Sequence, residues 1–282
     1  MSDKTIRRLH AAHRDDIGEL TTRRPLPGPQ IEQLDPFLFL NQHGPHLYPP
    51  GNRGLPFGPH PHRGFETVTF ILEGSLMHKD SAGHGSVIGA GGVQWMTAGR
   101  GIVHAEISPP EFLEQGGALE ILQLWVNLPS RLKMTAPAYV GLQREQIPAL
   151  DAAGAVVRLV AGEWEGQRGP VRPLLDMFMA VVEFEPGGSA WFHGLEGRNV
   201  FLYVVSGTLS IAGQMAPQFH LVELGDGDTL TLSAVDRAVA LVGHAAPLGE
   251  PVVSHGPFVM NTRDEIMQAI DDYQAGKFGP AM

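Results

Sequence analysis

Two pairs of metal-binding residue types, each separated by a single residue, stand out in the sequence. His60 and His62 lie in the run GPHPHRGFE, and His104 and Glu106 lie in GRGIVHAE. Because alternate residues of a strand point to the same face, each pair would direct two ligand atoms the same way. Two such strands facing across a barrel would bring three imidazoles and one carboxylate to one ion, a set suited to a first-row divalent metal. The spacing therefore predicts a metal site.

A single His-x-His motif is weak evidence, because most of the 13 histidines in this chain are expected to be surface or hydrogen-bonded residues. The pair His104 and Glu106 strengthens the interpretation of His60 and His62 as metal ligands. Both pairs are flanked by glycines and apolar residues, and both lie beside strand-like segments, TVTFIL and ALEILQLWVNL. Together the two pairs favour metal ligation over solvated loops.

The composition limits the fold. A chain of 282 residues exceeds the usual length of one domain, so one large or two medium domains are expected. The 35 glycines and 23 prolines are scattered between short apolar runs, which favours a turn-rich all-β protein. The chain contains no cysteine, so disulfides and thiolate ligands are excluded and a metal must use nitrogen and oxygen donors.

The charge and the hydropathy pattern exclude several function classes. The net charge of −10 argues against a broad phosphate-binding surface, so direct nucleic-acid binding is not expected. The N-terminal segment has no apolar core of the length of a secretory signal, and no run approaches the length needed to cross a bilayer. We therefore expect a cytoplasmic protein without a membrane partner.

Two series of strand-like segments follow each other along the chain. Aligning ETVTFILEGSL with NVFLYVVSGTL superposes Gly74 on Gly207, an offset of 133. At that offset, or at the slightly larger offset of 135 that superposes Gly92 on Gly227, the four candidate ligands fall in order on His193, Leu195, Val239 and Leu241. The second half has therefore kept the barrel pattern and lost the ligands, and we interpret His193 as a pocket or core residue.

These patterns predict two tandem β-barrels, with a metal-binding barrel in residues 1–136 and a barrel without ligands in residues 137–282. The final segment, TRDEIMQAIDDYQAGKFG, has apolar residues at helical spacing and predicts a short C-terminal helix packed on a barrel; they are Ile266, Ala269, Ile270 and Tyr273. Since two barrels in one chain can bury their own faces, we expect a monomer.

Longer motifs carry a resemblance to a known family. The runs HPHRGFETVTFILEGSLMHKDSAGH, GGVQWMTAGRGIVHAE, LQLWVNLP and EPVVSHGPFVMNTRDEIMQAI resemble the pirin family of the cupin superfamily over nearly the whole chain. The resemblance implies an all-β bicupin fold, with two tandem cupin (jelly-roll-like) β-barrels. It also implies that the N-terminal barrel binds one divalent metal, usually iron, through His60, His62, His104 and Glu106.

This chain can be compared with the wider cupin pattern at two places, the carboxylate ligand and the turn before His104. That pattern would take its carboxylate from Glu66, four residues after His62, whereas the pirin pattern takes it from Glu106, which we favour. Gly99 stands where the wider pattern has proline, a departure that is itself pirin-like. Gly99 and Gly101 around Arg100 predict a tight turn that delivers His104 to the metal.

The resemblance implies an activity. Pirin-like proteins are similar to quercetin 2,3-dioxygenases, which implies a flavonol and dioxygen as small-molecule partners and Glu106 as the base for the flavonol hydroxyl. The class-level alternative is a non-enzymatic regulator, whose metal redox state alters binding to a transcription-related protein partner. A structural ion is the third alternative. A pocket lined by Phe57, Trp95 or Met96 would favour the enzyme, although aromatic residues beside strands are also typical of a core.

Overall fold

The computed structural model describes residues 2–280, and most of these residues lie in strands. The strands before residue 128 are β1 (Ile6–Ala11), β2 (His13–Arg14), β3 (Thr22–Leu26), β4 (Phe37–Tyr48), β5 (Phe57–His62), β6 (Phe65–Glu73), β7 (Ser75–Asp80), β8 (Gly85–Gly89), β9 (Val93–Thr97), β10 (Ile102–Ile107) and β11 (Gly117–Asn127). The later strands are β12 (Ala138–Leu142), β13 (Ala149–Ala161), β14 (Glu163–Trp164), β15 (Gln167–Arg168), β16 (Met177–Phe192), β17 (Asn199–Ser206), β18 (Thr208–Ile211), β19 (Gln214–Pro217), β20 (His220–Leu224), β21 (Leu230–Ala234), β22 (Ala238–Ala245), β23 (Val253–His255) and β24 (Phe258–Met260).

Helices are few in the described part of the chain. They are α1 (Pro110–Gln115), α2 (Arg263–Gln274) and the short 3-10 helices Ser130–Leu132 and Arg144–Gln146. The prediction of an all-β chain that ends in a short helix is confirmed. Among residues 2–280, none of these helices combines the length and the apolar character that crossing a membrane would require.

The strands form two compact units that interleave along the chain. The first-barrel unit contains Asp15–Thr22, Leu38–Arg144 and the residues from Leu248 onward; the second-barrel unit contains the residues up to Arg14, Arg23–Phe37 and Glu145–Pro247. The interleaving has a simple cause in the second-barrel unit, where β1 pairs with β20 as an edge strand. These units are not the linear division at residue 136, and that division into two tandem barrels stays a prediction.

The first-barrel unit is built from two sets of antiparallel strands. One sheet has the order β5-β10-β7-β8, and the other contains the order β12-β9-β6-β11-β4. The central strands β6 and β11 are buried over most of their length, as is typical of strands covered on both faces. The candidate ligands lie on β5 and β10, two neighbouring strands of the first of these sheets.

The second-barrel unit repeats this pairing pattern. The pairs β6–β9, β6–β11 and β5–β10 recur as β17–β20, β17–β22 and β16–β21. Gly74 and Gly207 end the corresponding strands β6 and β17 with φ of 82° and 75°, a conformation that glycine adopts without steric cost. The predicted internal repeat is confirmed at this point.

The structure corrects the alignment of the ligand positions in the second half. Val239 and Leu241 lie on β22, which corresponds to β11, whereas β10 corresponds to β21. His193 is exposed and lies beside the Trp191 ring, with centroids 4.8 Å apart. It lines a pocket with Trp164 and His244, so the pocket role expected for it fits and the core role does not. The inward positions of the true counterpart strands are apolar and at most 5% exposed, namely Ala190, Phe192, Leu230, Leu232 and Ala234. The second half therefore lacks the metal ligands, as predicted, but the residues that stand at the ligand positions are not those given by the sequence alignment.

Helix α2 begins at a capping box. The Thr262 side chain accepts a hydrogen bond from the Glu265 amide, and the Glu265 carboxylate accepts one from the Thr262 amide. Ile266 and Ala269 are buried in a cluster with residues of β24 and with Phe278, as the helical spacing predicts. Tyr273, by contrast, is 41% exposed. The helix belongs to the first-barrel unit, and not to the barrel that precedes it in sequence.

Candidate metal centre

Three histidines converge on the inner face of one sheet. His60 and His62 lie on β5, and His104 lies on the neighbouring antiparallel strand β10, directly opposite His60. Their ligand atoms all lie within 4.8 Å of one another. The expectation that the two strands face each other across a barrel is wrong: the strands are adjacent, and the histidines meet as cross-strand neighbours on one face.

Hydrogen bonds on β5 leave one ring nitrogen of each histidine available. His60 Nδ1 lies 2.7 Å from the Gly58 carbonyl oxygen, and His62 Nδ1 lies 3.3 Å from the Pro257 carbonyl oxygen. When Nδ1 donates to a carbonyl, the neutral imidazole carries its lone pair on Nε2. This arrangement is typical of metal-ligating histidines, whose second nitrogen is fixed by a hydrogen bond.

His104 provides the most direct test of whether a cation fits. Its side chain is 1% exposed, and neither ring nitrogen has a hydrogen-bond partner among the described residues. A buried polar group without a partner is costly, and a cation held by the three imidazoles would satisfy one of these nitrogens. Burial and the neighbouring histidines hold the pKa of His104 well below its ordinary value, and burial lowers the pKa of His62 to about 3. Both rings are therefore neutral, as metal ligation requires.

Glu106 lies on the same strand but outside the group of three histidines. Its carboxylate accepts a hydrogen bond from Thr69 Oγ1 at 2.6 Å and another from Gln123 Nε2. Thr69 and Gln123 are paired on β6 and β11 of the other sheet, so the Glu106 side chain spans the barrel interior. Burial raises the pKa of Glu106 to about 7. Its role as the fourth ligand stays a prediction.

Glu66, the competing carboxylate, occupies a different position. It lies on β6, is 1% exposed, and accepts a hydrogen bond from Thr97 Oγ1 at 2.6 Å. Burial raises the pKa of Glu66 to about 6. Like Glu106, it is outside the histidine group. The choice between the two carboxylates therefore also stays a prediction.

Sequence reasoning missed two inward residues of β7. His78 pairs with Glu106 and Asp80 pairs with His104 across β7 and β10, which puts both beside the candidate ligands. His78 Nε2 lies 3.1 Å from Asp80 Oδ2, and the His78 ring stacks on Tyr139 with centroids 4.0 Å apart. The signal was present, since SLMHKD contains a third pair of this kind with i, i+2 spacing. The barrel interior is therefore more polar than the two recognised pairs indicate.

The glycine turn before β10 has the predicted form. Gly99 and Gly101 have φ of 50° and 132°. A Cβ on Gly101 would lie 2.6 Å from a ring carbon of Phe278, so no larger residue fits there without a shift. The backbone thereby delivers His104 to its place after the turn.

The residues considered as pocket lining belong mostly to the core. Trp95 and Met96 are 3% and 1% exposed, and Met96 packs in a cluster with Ala98. Phe57 is half-buried, with its ring 5.0 Å from that of His43. These residues support the barrel wall, and they do not by themselves define a substrate pocket.

Comparisons with known proteins show which family models and which sequences this chain resembles. The sequence matches the family model described as Pirin over residues 12–126, and the model described as Pirin C-terminal cupin domain over residues 179–279. It is 42% identical over 268 residues to a pirin-like protein of Caulobacter vibrioides, covering 94% of each chain. It is 38% identical over 286 residues to a Pseudomonas aeruginosa protein provisionally named quercetin 2,3-dioxygenase, covering 97% of each chain.

A solved structure gives the same result. The crystal structure of a quercetin 2,3-dioxygenase from Acinetobacter baumannii superposes with a TM-score of 0.92, is 36% identical, and covers 100% of both chains. The predicted fold of two tandem cupin barrels with a short C-terminal helix is thereby confirmed.

Proposed function

The chain belongs to the pirin family, and on that premise we propose that it is a metal-dependent dioxygenase that opens the ring of flavonols such as quercetin. The observation that carries the proposal is the buried His104 ring, whose two nitrogens have no partner in the described chain and which lies beside two histidines with Nε2 available. The provisional name of the Pseudomonas relative and the Acinetobacter structure support the reaction class.

We assign the metal to His60, His62 and His104, with Glu106 as the fourth ligand, and we propose iron as the ion, one per chain. A divalent ion bound there would supply Lewis-acid and dioxygen chemistry to a flavonol. Three neutral imidazoles and one carboxylate leave one net positive charge, which favours an anionic oxygen donor. The donor set of nitrogen and oxygen atoms suits such an ion, as the absence of cysteine requires.

Glu106 is the residue to which we assign proton transfer from the flavonol hydroxyl. Its carboxylate lies in a buried interior where two neutral donors, Thr69 and Gln123, orient both oxygens. A base held in this way keeps one geometry while a proton arrives, which is what general base catalysis needs. His78 lies directly opposite Glu106 on the neighbouring strand, which adds a further polar side chain beside the carboxylate. The proposal takes the chain as a cytoplasmic monomer acting on small molecules.

The decisive experiment is turnover of quercetin under air and under nitrogen by protein loaded with ferrous iron. We expect consumption of quercetin and release of carbon monoxide only when metal and oxygen are both present. The His104→Ala protein, treated in the same way, should be inactive but folded. Equal rates for the loaded wild type and the variant would show background oxidation. In that case the non-enzymatic regulator becomes the better assignment, and binding of a protein partner would have to depend on the oxidation state of the metal.

A further inference from the structure

The segment that follows the second barrel in sequence covers the back of the strands that carry the histidines. Val103, between Ile102 and His104 on β10, packs against a cluster that contains Phe258 and Ile266. Since neighbouring residues of a strand point to opposite faces, His104 faces the barrel interior and Val103 faces this cluster. The residues from Leu248 onward thus form the outer support of a ligand strand within the first-barrel unit.

Backbone contacts extend this support to the turn after His62. The Val259 amide donates to the Arg63 carbonyl oxygen at 3.0 Å, and the Arg63 amide donates to the Pro257 carbonyl oxygen at 3.4 Å. The same Pro257 oxygen lies 3.3 Å from His62 Nδ1. Gly64 has φ of 91°, and a Cβ there would lie 2.0 Å from the Val259 carbonyl oxygen. The two segments are therefore in direct contact, and one carbonyl orients the His62 ring.

One side chain ties this turn to helix α2. Arg63 donates from Nε to the Arg100 carbonyl oxygen at 2.6 Å and from Nη1 to Asp272 Oδ2 at 2.9 Å. Its guanidinium lies over the Phe278 ring, 4.6 Å from the centroid. The Arg63 and Asp272 side chains are only 5% and 12% exposed. A pair so little exposed is screened weakly by solvent, and loss of one partner leaves a buried charge uncompensated.

Asp272 has a second cationic partner that touches no part of the ligand turn. Lys277 Nζ lies 2.7 Å from Asp272 Oδ1, and the Lys277 side chain is 63% exposed. The two cations contact different oxygens of one carboxylate. The lysine therefore offers a control that perturbs the same carboxylate without removing the bridge to Arg63.

We propose that Asp272 is a positioning residue of the metal centre: through Arg63, helix α2 fixes the turn that follows His62 and holds the Pro257 carbonyl against the His62 ring. Metal affinity then depends on a helix that supplies no ligand. The inference rests on the proposed metal at the three histidines. Partners that orient a ligating histidine change metal affinity by about 10–100-fold when they are removed.

The test measures metal affinity and ligand geometry without using turnover. Metal-free wild type, Asp272→Asn and Lys277→Met proteins are titrated with Co²⁺ against a competing chelator, and the visible absorption of bound Co²⁺ is recorded. We expect Asp272→Asn to bind Co²⁺ up to about 10-fold more weakly, the lower end of the range for groups that touch a ligand directly, with an altered visible spectrum. Lys277→Met should match wild type in both measurements. Asp272→Glu, which keeps the charge, should recover most of the affinity.

The outcomes separate this inference from the proposed function. If wild type binds Co²⁺ no better than His104→Ala, the metal assignment fails and the inference falls with it. If wild type binds but Asp272→Asn has the same affinity and spectrum, the positioning role is refuted and the metal assignment stands. Should Asp272→Asn fail to fold, Arg63→Gln replaces it. That variant removes the cation through which Asp272 acts on the turn while Lys277 still pairs with the carboxylate, and unchanged affinity and spectrum in it would refute the inference as well.

Discussion

Lys133 is a buried lysine whose replacement tests the packing behind the metal centre. Its side chain is 1% exposed, and Nζ donates to Asn127 Oδ1 at 2.6 Å, to the Gly64 carbonyl at 2.8 Å and to the Val259 carbonyl at 3.1 Å. Lys133→Met removes the donor and leaves three acceptors unsatisfied, each costing about 1–3 kcal/mol. Relief from burying a charge offsets part of this, so we expect a loss of about 2 kcal/mol in unfolding free energy at pH 7.

The loss of unfolding free energy in Lys133→Met should also depend on pH, which gives a more specific test. Burial lowers the pKa of Lys133 from 10.5 to about 8. Between these values the unfolded chain holds a proton that the folded chain has released, so the wild type gains stability as pH rises, by up to about 1.4 kcal/mol per pH unit. The methionine variant lacks this gain. The difference between the two proteins should therefore widen by about 3 kcal/mol from pH 8 to pH 10.5.

Urea denaturation of the metal-free proteins at a series of pH values measures this difference directly. Lys79→Met, at an exposed lysine of β7, is the matched control and should show only a small loss of stability. A gap for Lys133→Met that stays the same across the alkaline range would show that the pKa of the buried amine is not lowered. No loss of stability at any pH would mean that the Gly64 and Val259 carbonyls and the Asn127 side chain do not need the Lys133 amine as a donor.

Three further predictions concern the metal and the second barrel. Elemental analysis after loading should give one ion per chain, because the inward residues of β16 and β21 are apolar; an ion bound in the second-barrel unit would contradict this. In chelator competition, His62→Ala and Glu106→Gln should bind metal at least about 10-fold more weakly than wild type. Glu66→Gln should match wild type. Weaker binding in the Glu66 variant alone would identify Glu66 as the ligand. Leu202→Ala, at a 0% exposed position in the core of the second-barrel unit, should lower the free energy of unfolding by about 2–5 kcal/mol in urea denaturation, with metal content unchanged in the folded protein. Parallel loss of metal would contradict the separate roles of the two barrels.

Local sequence patterns were sufficient for the elements and for placing His60 and His62 on one face of a strand. The i, i+2 spacing places His60 and His62 on one face of any strand, whichever strand pairs with it. The pairing itself is a long-range property, so the adjacency of β5 and β10 could not be derived from spacing. His78 and Asp80 were missed because a His-x-Asp pair beside a lysine is equally typical of a solvated strand face.

Contacts between distant segments were the least predictable part. No local pattern indicates that Arg63 would meet Asp272, 209 residues later in the chain. The ligand positions of the second half were misaligned for a related reason. The stretch between β6 and β9, which holds the β7–β8 hairpin, is longer than the stretch between β17 and β20, which holds the β18–β19 hairpin, so an offset carried forward from Gly74 and Gly207 moves the alignment onto the wrong strand.

The interleaved order of the two units has a consequence for synthesis. The first-barrel unit has its ligand strands by Arg144 but receives its last segment only from Leu248 onward, after the 103 residues of Glu145–Pro247. At about 5–20 residues per second of translation, the nascent barrel waits roughly 5–20 s for the segment that supports His62. During that interval the strands with the three histidines exist without the segment that contacts them, so the ion should bind more tightly once the residues from Leu248 onward have been added.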